Sequence, residues 1–213
     1  MELERRGFIN PSPIAIPSFK PKLELAVLAS GKGSNLERIL IDISNNKLDA
    51  NIKCLIVNKA DCGAIKIAKR YSVPFIIHKH QDYNDREEFD RAILNTIKQY
   101  NVEGIVMVGW MRIVTNILLS EFKGRVVNLH PSLLPSFKGS NAILETLKSK
   151  VTITGCTVHL VDQEIDSGKI IIQAALPVLA NDNDVSLLSS VQYYEHKIIS
   201  LGIALAAKEW RNN

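Results

Sequence analysis

Leu23-Glu24-Leu25-Ala26-Val27-Leu28-Ala29-Ser30-Gly31-Lys32-Gly33-Ser34-Asn35-Leu36 runs from a short apolar stretch through a glycine-rich turn into a segment where Leu36, Ile39 and Leu40 recur at helical spacing. Strand, tight turn, helix is the opening unit of a parallel sheet with helical crossovers. The same alternation continues along the chain. Glu24 to Ala29, Ile52 to Val57, Pro74 to Ile77, Gly104 to Val108 and Arg125 to Leu129 read as strands, most of them followed by a helix-like segment. After Pro135 the pattern changes to two closer strands, Thr152 to Leu160 and Lys169 to Ala174, and a long helix from about Val185 to Arg211. The expected fold is α/β, a doubly wound, Rossmann-like and mostly parallel sheet, with an antiparallel strand near the C-terminal edge. Residues 1–22 hold four of the eight prolines and no apolar periodicity, so a poorly ordered N-terminal extension is expected there. Residues 23–213 are expected to form a single domain.

Composition narrows the function classes. The chain has 213 residues, 46% hydrophobic and 23% charged, the balance of a globular protein rather than a disordered or fibrous one. No apolar run approaches the roughly 18 to 20 residues that a membrane-spanning helix needs. A net charge of +4, scattered rather than striped, gives no argument for nucleic acid and leaves anionic small molecules open. Three cysteines without C-x-x-C spacing fit neither a disulfide framework nor a structural zinc site, and point to a reducing, cytoplasmic compartment.

In doubly wound sheets ligands bind beyond the carboxyl ends of strands, where strand order reverses. Three such places stand out. At the first, Gly31 and Gly33 let backbone N–H groups approach an anion, Ser34 and Asn35 add side-chain hydrogen bonds, and the helix start adds its positive dipole end. A dinucleotide fingerprint would need glycine where Leu36 stands and an acid where Val57-Asn58-Lys59 occurs, and the Walker spacing is also missing. The turn reads equally well as a phosphate loop or as an ordinary helix start.

The second place is Asn128-Leu129-His130-Pro131. Strand alternation puts Asn128 and His130 on one side where the apolar run ends, and Pro131 takes the chain out of the sheet. An amide and a protonated imidazole would form a donor pair for an oxyanion. Read alone, the pair is better taken as Asn128 capping the sheet and His130 as a partly buried core histidine. The third place, Asp162-Gln163-Glu164-Ile165-Asp166-Ser167-Gly168, crowds three carboxylates into one turn. Any of them beside His130 would raise its pKa, and spacing does not choose among them. No metal-binding motif is present, so no metal is expected.

Gly31-x-Gly33-Ser34-Asn35, Gly109-Trp110-Met111-Arg112-Ile113, the ordered run Asn128-Leu129-His130-Pro131-Ser132-Leu133-Leu134-Pro135-Ser136-Phe137-Lys138-Gly139-Ser140-Asn141-Ala142, and Gly155-Cys156-Thr157-Val158-His159 followed by Asp166-x-Gly168, together resemble the phosphoribosylglycinamide formyltransferases, folate-dependent enzymes of purine synthesis. The resemblance runs from about Leu23 to at least Glu195. It implies transfer of a formyl group from 10-formyltetrahydrofolate, a cosubstrate rather than a tightly bound cofactor, to the amine of glycinamide ribonucleotide. It assigns catalysis to Asn128, His130 and Asp166, and thereby selects Asp166 among the three acids. It gives Gly33, Ser34, Asn35 and Glu195 to the ribonucleotide. Arg86, Met111, Arg112, Ile113, Val114 and Asn128 go to the folate. The chain departs from the family pattern at Lys169 and at Lys197-Ile198-Ile199-Ser200.

Relatives with similar chemistry would carry further domains: a regulatory domain in formyltetrahydrofolate hydrolase, an RNA-binding domain in methionyl-tRNA formyltransferase. A phosphate-binding regulator that kept the fold and lost catalysis is the nonenzymatic alternative. The partners expected are the two small-molecule substrates, with neither nucleic acid nor membrane; monomer and homodimer are both compatible with the sequence.

Overall fold

The computed structural model of the protein describes residues 6–12 and 15–212. One eight-stranded sheet runs through it. In chain order its strands are β1 (Phe8–Asn10), β2 (Leu23–Ala29), β3 (Ala50–Val57), β4 (Phe75–Ile77), β5 (Gly104–Val108), β6 (Val126–His130), β7 (Ile153–Leu160) and β8 (Ile170–Pro177). The helices are α1 (Ser34–Ser44), α2 (Ala64–Arg70), α3 (Arg86–Lys98), α4 (Asn116–Glu121), α5 (Ala142–Lys148) and α6 (Asp184–Asn212). Strand order is β1-β8-β7-β6-β5-β2-β3-β4. Strands β2 to β6 pair in parallel, whereas β7 runs antiparallel to both β6 and β8.

The central strands are near-continuous apolar runs because helices cover both faces of the sheet. Alternation divides them between two cores. Leu25, Val27, Ala29, Val106, Val108, Val127 and Leu129 face one cluster, shared with α1, α2 and α6. Ala26, Leu28, Ile105, Met107 and Val126 face the other, shared with α3 and α4. The helix starts differ in chemistry. Asp85 caps α3 by accepting the Glu88 N–H at 2.8 Å, and Glu88 reaches back to the Asn84 N–H at 2.9 Å, a reciprocal cap. Gly33 precedes α1 at φ 87° and no side chain caps that end.

The N-terminal expectation needs correction. Phe8–Asn10 pairs antiparallel with β8, Phe8 lying opposite Ala175 and Asn10 opposite Gln173. Further along, Phe19 is buried, and its N–H donates to Asp49 Oδ2 at 3.0 Å. The prolines remove the periodicity from which order is read locally, but a three-residue strand that stops at Pro11 suits a sheet edge, and its order comes from β8. Residues 1–5, 13 and 14, also within the expected extension, lie outside the described residues. Because β1 covers β8, the antiparallel pair of β7 and β8 is one strand in from the edge.

Chain reversal positions the site. From β2 the chain moves outward to β3 and β4, then crosses back to place β5 on the other side of β2. The carboxyl ends of β2 and β5 therefore flank the switch point, and β6 ends beside them.

Candidate active site

The loop after β2 is held from below by α2. The Ala64 N–H donates to the Gly31 carbonyl at 3.2 Å, and a Cβ on Gly33 would lie 2.6 Å from Ala64 Cα. Gly33 is thus required both by its left-handed φ and by this close approach. The first N–H groups of α1 have no intrahelical partner and no side-chain cap, which leaves them to an anion. Asn35 Nδ2 donates to Glu195 Oε2 at 2.8 Å, linking the loop to α6. Burial pushes the Glu195 carboxyl up to about 6, against the lowering effect of that hydrogen bond.

Across the switch point, the loop after β5 is tied at both ends. Ser30 N–H donates to the Gly109 carbonyl at 3.1 Å, the Met111 N–H donates to Ser30 Oγ at 3.0 Å, and the Thr115 N–H donates to buried Asp90 on α3. Between these anchors Met111 and Ile113 are exposed, Arg112 is half-buried and Val114 is buried. Phe89 of α3 stacks on Trp110 with ring centres 6.0 Å apart, and the Arg112 guanidinium lies 5.9 Å from the Phe89 ring centre. Arg86 is exposed on the turn of α3 that precedes Phe89.

At the end of β6, Asn128 and His130 share a face as strand alternation requires, and the antiparallel pairing brings β7 alongside. Asn128 lies opposite His159 and His130 opposite Thr157. Asp166, at φ 50°, turns back onto this face. Its Oδ2 is 3.3 Å from His130 Nδ1 and accepts the Gly139 N–H at 2.8 Å; its Oδ1 is 3.5 Å from both Asn128 Nδ2 and His159 Nε2. His130 Nε2 meets the Phe137 carbonyl at 2.8 Å. Geometry thus separates the three acids that spacing left equal. Asp162 instead accepts from the Gln163 N–H, and exposed Glu164 pairs with Lys138.

The charges in this cluster are coupled. Burial works against ionisation of Asp166, but hydrogen bonds from His159 and Gly139 and the two nearby imidazoles hold it down at about 2. His130 departs from expectation: burial lowers its pKa and outweighs the Phe137 carbonyl and Asp166, which both raise it, while His159 lowers it further. A carboxylate alongside was expected to leave the ring above its ordinary value. Its two nitrogens nevertheless both face acceptors, an arrangement that only the doubly protonated ring satisfies in full.

The structure brings Asn128, His130 and Asp166 together, and separately Gly33, Ser34, Asn35 and Glu195. Met111 to Val114 lie between the loop after β2 and α3. His159 is the member of the cluster to which sequence reading assigned no role, and its signal was the antiparallel pairing that sets it opposite Asn128. Both departures from the family pattern find partners: Lys169 Nζ pairs with both Glu209 carboxylate oxygens at 2.8 Å, and Lys197 Nζ sits 4.2 Å from the Tyr193 ring centre.

Comparison with known proteins bears on the family and the fold. The family model described as formyl transferase matches residues 23–203. The chain is 39% identical over 188 residues to the human (Homo sapiens) trifunctional purine biosynthetic protein adenosine-3, covering 88% of this chain and 19% of that protein. The chain thus spans about a fifth of the length of that relative. It is 33% identical over 174 residues to the phosphoribosylglycinamide formyltransferase of Bacillus subtilis (strain 168), covering 82% of this chain and 89% of that enzyme. The crystal structure of glycinamide ribonucleotide transformylase 1 from Symbiobacterium toebii superposes with a TM-score of 0.87 at 34% identity, covering 90% of each chain. With a family match over most of its length and a shared fold, the chain belongs to the formyl transferase family.

Proposed function

We propose that the protein transfers the formyl group of 10-formyltetrahydrofolate to the amine of glycinamide ribonucleotide, a step of de novo purine (IMP) synthesis. The observation that carries the reading is the Asn128–His130–Asp166 cluster at the end of β6, with His130 buried within it, on a sheet whose β2 ends in a helix start that no side chain caps. The family membership and the named formyltransferase relatives support the same substrates.

In this reading the ribonucleotide phosphate lies on the N–H groups of Ser34 and Asn35 above Gly33, with Glu195 on its ribose side. The folate lies along Met111, Arg112, Ile113 and Val114, with Arg86 as its outer cation. The neutral amine attacks the formyl carbon. A new C–N bond forms, the carbonyl electrons move to oxygen, and collapse of the tetrahedral intermediate breaks the bond to N10. The amine loses one proton and N10 gains one. Asn128 Nδ2 and a ring N–H of His130 donate to the oxyanion, and Asp166 favours the charged ring as negative charge grows. His130 turns from the Phe137 carbonyl to do so. Burial keeps the resting imidazole ready to take a proton, which suits a relay from amine to N10. The folate is consumed as a cosubstrate, and the three buried free thiols suit a reducing, cytoplasmic setting.

The test is steady-state release of tetrahydrofolate with and without glycinamide ribonucleotide. Acceptor-dependent release is expected; acceptor-independent release would make the protein a hydrolase, and none at all a binding protein. His130→Ala should lower turnover by about 100- to 1000-fold while ribonucleotide binding persists. Near-normal turnover in that variant would remove His130 from the mechanism.

A further inference from the structure

The family match begins at residue 23, yet the chain before it reaches the ribonucleotide side of the site. Residue Gly7, just before β1, donates its N–H to the Tyr194 hydroxyl. A Cβ there would lie 2.4 Å from Tyr194 Cζ and 2.6 Å from the Ala175 carbonyl oxygen, so only glycine fits between α6 and β8. Ile9, in β1, packs against the same core cluster as Tyr194. Tyr194 is the residue before Glu195 on α6, and Glu195 holds Asn35 of the phosphate loop at 2.8 Å. Lys197, one turn on, lies 5.2 Å from the Tyr194 ring centre.

We propose that Gly7 and β1 form part of the ribonucleotide site as positioning residues: they fix Tyr194, and Tyr194 sets the turn of α6 that presents Glu195 to Asn35. The inference rests on the reading that Glu195 serves the ribonucleotide. A helix turn about its own axis moves a carboxylate more readily than it moves the strand ends carrying Asn128 and His130. Loss of the anchor therefore acts on one substrate and spares the other.

The test uses the full chain and three changes: Gly7→Ala, Tyr194→Phe and removal of residues 1–10. Each should raise the KM for glycinamide ribonucleotide roughly 2- to 10-fold, the scale of one hydrogen bond, with kcat and the KM for 10-formyltetrahydrofolate retained. Tyr194→Phe keeps the ring and its packing, so it reads the anchor even where the deletion loosens the fold. An unchanged ribonucleotide KM in Tyr194→Phe and Gly7→Ala overturns the proposal, as does an equal rise in the folate KM, which marks general loosening. Glu195→Gln is the reference. If it raises the ribonucleotide KM while the three variants do not, the anchor alone is wrong; if it does not, the assignment of Glu195 fails and the anchor with it.

Discussion

Two carboxylates in this protein are displaced in opposite directions by their surroundings, and each sets its own pH dependence. Asp166 is held at about 2 in the folded chain, below a free aspartate, so its ionised form stabilises the fold above about pH 4. That contribution is lost as pH falls towards 2. Thermal melts should show a steep acid limb that Asp166→Asn flattens; an unaltered limb would mean that the ion contributes nothing. Glu195 is raised to about 6, so its contribution is fully present below the pKa of an unfolded glutamate and is lost as pH rises through about 6. In the proposed reaction the ionised form is the one that accepts from Asn35. Ribonucleotide KM should therefore rise as pH falls through about 6, and Glu195→Gln should remove that inflection while the phosphate's own titration remains.

At the level of elements, the site is made by loops pinned to neighbours that are themselves rigid. The α1 start depends on Gly33, where both φ and the approach of Ala64 exclude a side chain. Gly33→Ala should cost about 1–3 kcal/mol by denaturant titration, and weaken ribonucleotide binding more than folate binding. The loop after β5 depends on α3 through Phe89, buried between Trp110, Arg112 and Tyr83, whose ring centre is 5.4 Å away. Phe89→Ala should destabilise the protein by about 3–5 kcal/mol and raise the folate KM before the ribonucleotide KM. An equal rise in both would show that Phe89 supports the sheet generally and not the loop after β5 in particular.

For the whole molecule, the decisive feature is one sheet serving two cores. Every central strand contributes alternate residues to the cluster under α6 and to the cluster under α3 and α4. Neither core can be lost without exposing the back of the other. Arg211 near the end of α6 reaches across to Glu103 and to the Pro21 and Lys22 carbonyls, so the last turn of α6 is joined to the segment that enters β2. Calorimetry should accordingly give a single unfolding transition, with calorimetric and van't Hoff enthalpies in agreement. Two separated transitions would contradict this shared-sheet account.

The sequence by itself determined the alternation of apolar runs and helical patterns, the glycine turn after β2, and the common face of Asn128 and His130. All three follow from local geometry: period, allowed φ and side-chain alternation act within a few residues. Its ordered motifs also pointed to the family. Tertiary structure decided which carboxylate meets the imidazole, because the choice among Asp162, Glu164 and Asp166 turns on where β7 ends and how the acidic turn folds back. It placed His159 opposite Asn128 through a register between strands distant in the chain. It also turned the His130 pKa downward, because desolvation depends on everything packed around the ring and not on its sequence neighbours. The N-terminal strand is of the same kind: nothing in Phe8-Ile9-Asn10 orders it alone, and the unpaired edge of β8 does.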